Sequence, residues 1–119
     1  MSAIEEAADD LLAALRTVEG VWAYSDPGAP VEVPAATVLG PPALTWEAGC
    51  GGPTSARWLV YLVVAADETA LARLWALLPA VVAAIDALPN AAVIRADPGA
   101  YLAGGPELPC YEIQADYAL

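Results

Sequence analysis

The 119-residue sequence has no lysine, no histidine and no phenylalanine. Its only basic residues are four arginines (Arg16, Arg57, Arg73 and Arg95) set against 15 acidic residues, a formal net charge of −11. These absences exclude a good deal. Affinity for nucleic acid or anionic lipid comes largely from clustered Lys and Arg, and four scattered arginines cannot supply it. Two cysteines without histidine cannot complete a four-ligand structural zinc site within one chain. They are also too few for a disulfide framework. The acidic count would allow calcium, but no stretch has the alternating Asp/Asn spacing of an EF-hand loop. Long apolar runs are missing too. The longest, Trp58–Ala66 and Leu74–Ile85, are closed by Arg57 and Asp67 and by Arg73 and Asp86. A membrane span needs ~20 apolar residues, and shorter runs of ~10–14 are ordinary core segments. The N-terminus "MSAIEEAADD" is acidic where an export signal would be basic, so a reducing, cytoplasmic setting is expected.

What is present is apolar: 59% of residues are hydrophobic and the mean hydropathy is +0.54, against roughly 45–50% in ordinary soluble domains. Alanine inflates both figures, and a GC-rich genome would encode the same bias. Even so, a chain of this length forms a single domain (1–119) with a modest core. Part of so much apolar area is therefore expected to face a partner.

The pattern along the chain places the elements. "SAIEEAADDLLAALRTVEG" (2–20) is an amphipathic helix. Ser2 and Glu5 form a capping box, Gly20 is the stop, and Ile4, Ala8, Leu11, Leu12 and Leu15 make the apolar stripe. "VWAYSD" (21–26) alternates as a short strand and ends in the turn "DPGAP". Further strands are expected at Ala36–Leu39 and Ala43–Glu47. Trp58–Ala66 reads as the central strand. Trp58, Val60, Leu62 and Val64 face one way and Leu59, Tyr61 and Val63 the other, so both faces need a cover. With only two helices in the chain, the economical cover for the second face is a neighbouring subunit. Residues 67–90 form a second helix, with Asp67 as N-cap and Leu71, Leu74, Leu78, Val82, Ile85 and Leu88 in register across Pro79, read as one kinked helix. "AAVIRAD" (91–97) is a strand and 98–109 a loop. "CYEIQADYAL" (110–119) is a half-buried strand with one polar face. The order α-β-β-β-β-α-β-β, with short connections, predicts an α+β fold: a mainly antiparallel sheet with both helices packed on one face.

"LTWEAGCGGPTSARW" (44–58) has the outward look of an active site, with Cys50 in a glycine-flanked loop. A nucleophilic cysteine needs a base or a depressed pKa. The sequence offers neither histidine nor lysine, Glu47 would raise the thiol pKa, and Arg57 is distant in sequence. The carboxylate pairs Glu5/Glu6, Asp9/Asp10 and Asp67/Glu68 fall in first turns or polar faces of helices, where solvation and the helix dipole account for them. "GCGG" and "AGGP" lack the lysine and the following helix of a phosphate loop. No catalytic residue, metal ligand or cofactor is expected. Trp22, Trp58 and Trp75 are expected in the core, while Trp46, beside the loop, is a partner anchor. The loops 48–56 and 98–107 are the candidate contact segments. They make Trp46, Glu47, Cys50, Arg57 and Tyr101 the candidate contact residues, with Arg57 pairing either a neighbour's acid or one of its own.

The phrases "VLGPPALTWE" (38–47), "GPTSARWLVYLVV" (52–64), "LARLWALLPAVVAAID" (71–86) and "LPCYEIQADYAL" (108–119) resemble the tail-terminator, or tail-completion, proteins of long non-contractile-tailed phages of actinobacteria. The likeness spans nearly the whole chain and rests on pattern, with no catalytic signature. It implies a non-enzymatic structural virion protein of the tail and neck, assembled in the host cytoplasm. Such proteins form hexameric rings that cap the head-proximal end of the tail tube, stop its polymerisation and join tail to head. The implied partners are further copies of the chain, the tail tube protein and a head-completion or stopper protein. DNA would pass through the lumen without specific binding, and no membrane would be involved. A head–tail connector or stopper, a minor tail protein, or a cytoplasmic adaptor that never forms rings are the alternatives.

Overall fold

The computed structural model describes residues 2–25, 35–49, 51–102 and 107–119. Helix α1 (Ala3–Leu15) begins as its sequence demands. The Ser2 hydroxyl accepts from the Glu5 N–H at 3.1 Å and lies 3.2 Å from the Glu5 carboxylate. The helix stops five residues short of the expected Gly20. Thr17 takes the Ala14 carbonyl with its hydroxyl at 2.6 Å, and the Thr17 and Val18 amides bond three residues back. That tighter turn buries Val18 and Val21, and Gly20 makes the reversal at φ +80°.

Six strands follow: β1 (Trp22–Tyr24), β2 (Ala35–Leu39), β3 (Ala43–Thr45), β4 (Ser55–Val64), β5 (Ala91–Tyr101) and β6 (Leu108–Ala118). The sheet order is β1-β2-β4-β6-β5. Strand β4 is its axis. β2 lies against its Val60–Val64 half and β3 against Ser55–Arg57, while β6 pairs from Ser55 to Val63. Between β2 and β3 the chain passes so close to β4 that the Gly40 N–H bonds the Leu59 carbonyl at 2.8 Å. A Cβ there would sit 3.2 Å from that same oxygen, a tight contact that a side chain could make only if β4 shifted slightly. All pairings are antiparallel except β1 with β2, which are parallel. The α+β class and the order α-β-β-β-β-α-β-β are as expected.

Both helices lie on one face. Leu11 and Leu15 of α1 and Val81 and Ile85 of α2 (Ala70–Asp86) share one core with Val60, Leu62, Val64 and Ile113. Other details also differ from the sequence reading. The α2 stripe runs through Leu74, Val81 and Ile85, leaving Leu71 exposed and Val82 only half-buried. A helix that is apolar on every side gives periodicity no polar face by which to set its phase. Residues 98–101, expected as loop, extend β5 because they pair with Tyr111–Leu108. Thr69, not Asp67, occupies the N-cap position of α2. Asp67 acts two residues earlier, accepting at 2.9 Å from both the Thr69 amide and hydroxyl and at 3.2 Å from Arg73. These donors hold its carboxyl below the usual range, the Thr69 hydroxyl foremost.

The second face of β4 is partly covered by the chain itself. Val38, Val63, Tyr101 and Cys110 form a small buried cluster flanked by Tyr24, Tyr61 and Leu108, with the Tyr101 ring edge-on to Tyr61 at 5.5 Å. A neighbouring subunit is not needed at that end. Toward the other end the same face turns polar through Arg57, Asp116, Gln114 and Glu112, which explains its exposure.

Thr37 is fully buried on the helix-facing side of β2, and its hydroxyl has no hydrogen-bond partner among the described residues. An unpaired buried hydroxyl is destabilising, and valine keeps the branched shape without it. Thr37→Val is expected to raise unfolding stability by about 1–2 kcal/mol, read as a higher urea midpoint at unchanged slope.

Candidate functional site

Three of the four tryptophans are not core residues. Trp58 is 3% exposed, but Trp22, Trp46 and Trp75 are 59%, 57% and 59% exposed. The expectation for Trp22 and Trp75 fails for local reasons. Trp22 lies on β1, a three-residue edge strand whose side chains have little sheet to pack on. Trp75 lies on the outward side of α2, one turn from Leu71, which is exposed as well. Its indole N–H donates to the Tyr111 hydroxyl at 3.0 Å, which fixes the ring over the β6 side of the helix.

These groups occupy different parts of the molecule. Trp22 stands in the row of Val63, whereas Trp46 directly follows Thr45 in the row of Ser55. Those rows are about 26 Å apart at ~3.3 Å per strand residue. Trp22 borders an open groove of about 440 Å³ lined by Arg16, Gly20, Val21 and Ala23. Arg16 is the only arginine without a carboxylate partner in its own chain among the described residues.

Of the expected contact residues, Trp46 and Glu47 are exposed just beyond β3. Tyr101 is buried against Tyr61 and offers little surface to a partner. Cys50 lies outside the described residues. Arg57 pairs with its own chain: cross-strand register sets it opposite Asp116, with Nε 2.9 Å from Oδ1 and the second nitrogen 3.4 Å from Oδ2. Asp116 raises the guanidinium pKa through that hydrogen bond. Both side chains are about half exposed, where such pairs contribute little and salt screens them. Trp46 and Arg57 therefore sit near one end of the sheet, and Tyr101 sits near the other.

Sequence reasoning missed the outward face of α2. From Leu74 to Ile85 the helix has no polar side chain, yet Trp75, Ala76, Pro79, Ala80 and Ala83 are exposed. The signal was present as that uninterrupted run, since a helix apolar on every side is normally covered on every side.

The free edge of β5 is poorly suited to strand addition. The Val93 N–H is taken by the Asp86 carboxylate at 2.9 Å, a bulge follows between Val93 and Arg95, and Pro98 has no N–H to offer. Arg95 and Asp97, paired at 2.8 Å, add charge along the same stretch. These are the usual means by which an edge strand is kept from pairing.

No group of three or more metal-ligating side chains occurs among the described residues, and no helix among them is long and apolar enough to cross a membrane. No protein-family model and no curated protein matches the chain.

Burial pushes the Cys110 thiol up to about 11, with Glu112 adding to the effect. So little thiolate forms at neutral pH that Cys110 is inert. In a Cys50→Ser variant, a disulfide reagent at pH 8 is expected to find no reactive thiol in the native protein and one per chain in denaturant. A rapid native reaction would contradict this burial.

Proposed function

We propose that this chain is a structural ring subunit of a phage tail, capping the head-proximal end of the tail tube and ending its growth. The observation that carries this reading is the dispersal of exposed apolar anchors. Trp22 and Trp46 lie at opposite ends of the sheet, and Leu71 and Trp75 lie on the outer side of α2. An adaptor that grips one partner would gather such residues into one patch. A ring subunit touches two neighbours around the ring and a different partner above and below it, and so needs several contact surfaces.

The charge is consistent with this role. A chain with 15 acids and four arginines, three of them paired internally, presents a surface that repels DNA moving through a lumen. The guarded edge of β5 favours subunits meeting through helix and loop surfaces over one continuous sheet. A connector, stopper or minor tail protein would satisfy the same chemistry, and its position in the neck would distinguish it.

The test is electron microscopy of tail tubes polymerised with and without the protein. Ring density at one tube end, with tube length limited, is the expected outcome. Trp46→Ala should weaken that capping at least tenfold in the concentration needed. Arg57→Ala, which breaks a pair internal to the chain, should leave capping intact. Tubes that grow unchanged beside a monomer would rule the reading out.

A further inference from the structure

The sheet ends in two edge strands, and they are treated differently. On β5 the Asp86 carboxylate, a bulge, Pro98 and the Arg95–Asp97 pair all stand against strand pairing. The outer edge of β1 has no such guard. Residues 21–24 contain no charge and no proline, Val21, Trp22 and Tyr24 favour extended backbone, and no described strand lies beyond β1.

The groove of about 440 Å³ follows this edge. Successive side chains of a strand point to opposite faces. A groove that touches Gly20, Val21, Trp22 and Ala23 in turn therefore runs along the backbone, between the two faces. It is open at Gly20, where an added Cβ would meet nothing within 4 Å. Two long side chains flank it. Trp22 stands in the row of Val63, on the face away from the helices, whereas Arg16 ends α1 on the helix side.

We infer that this groove binds an extended segment of a partner protein, added as a strand beside β1. One carboxylate of the segment meets Arg16, and an apolar side chain at the next position, on the other face, meets Trp22. Charge names the occupant. Three arginines of this acidic chain are held by its own carboxylates, and Arg16, beside the groove, is the one left over among the described residues. A run of acids would be repelled by the net charge of −11 and by Glu19, next to Gly20 in the chain, so the segment carries a single acid among uncharged residues. Main-chain hydrogen bonds supply affinity in such strand addition, and the side-chain contacts supply selectivity. Four residues span only ~13 Å, so the contact is short and the affinity modest. Because the β5 edge is guarded, the sheet accepts one added strand and no continuous stack. The site stands independently of the ring reading.

The experiment pans a random-peptide library displayed on filamentous phage against the immobilised full chain, where many copies per particle let modest binding register. Enriched peptides should share one Asp or Glu beside a Val, Ile or aromatic residue. One of them, synthesised with a fluorescent label, is then titrated by anisotropy. Arg16→Gln and Trp22→Ala, each shown by circular dichroism to fold as wild type, should weaken binding about tenfold. Amidating the peptide's acid should weaken wild type equally and Arg16→Gln no further. Arg95→Gln, on the other edge, should bind as wild type. Amide hydrogen exchange at 21–24 should slow when the peptide binds. Failure to enrich any peptide overturns the inference, as do enriched peptides that share no acid. So does binding that survives Arg16→Gln, or protection confined to other residues.

Discussion

Strand β4 carries three different pairings along ten residues, and most of the molecule is arranged around that fact. β6 runs along one of its edges from Ser55 to Val63, while β2 and β3 divide the other. A strand held on both edges must be apolar on both faces wherever it is also covered. Its helix-facing residues Trp58, Val60, Leu62 and Val64 belong to the main core, and Val63 belongs to the small cluster on the opposite side. The helices cover what β4 exposes on one side, and Tyr101 helps close the other. Tyr117 then ties β6 back to α1 through its hydroxyl bond to Asp10 at 2.8 Å.

The same arrangement explains where apolar surface is left over. Two helices cover one face of a six-stranded sheet, and the core takes only one side of each. α1 solves this with Glu5, Glu6, Asp9 and Asp10 outside its stripe. α2 has no such solution, because it is apolar on every side from Leu74 to Ile85. Trp22 stands on the sheet face opposite the core that Trp58 fills, and Trp46 lies just beyond the three-residue β3, so neither reaches that core. Chain length sets this limit: a domain this small buries a modest share of its apolar surface.

Chemistry follows from the same inventory. Three of four arginines are consumed by carboxylates of their own chain, Cys110 is buried with its thiol protonated, and no metal-ligating cluster forms among the described residues. The surface is left with apolar anchors on an acidic background. That combination supports the proposed association by shape and apolar contact. In the proposed assembly, the guarded β5 edge leaves helices and loops as the contact elements.

The sequence alone determined the order of elements, the helix-side core and the central strand, because period-2 and period-3.6 patterns are local and strong in Leu11–Leu15 and Trp58–Val64. Composition made the absence of histidine chemistry legible as well. Tertiary structure decided what patterns cannot carry. It set the phase of α2, since an all-apolar helix has no polar face to orient it. It gave Arg57 to Asp116, a partner fixed by strand register across 59 residues. It extended β5 through Pro98–Tyr101 because β6 lay opposite. It also left Trp22 and Trp75 outside, since whether an aromatic is buried depends on how much sheet and helix surrounds it, and local sequence does not record that.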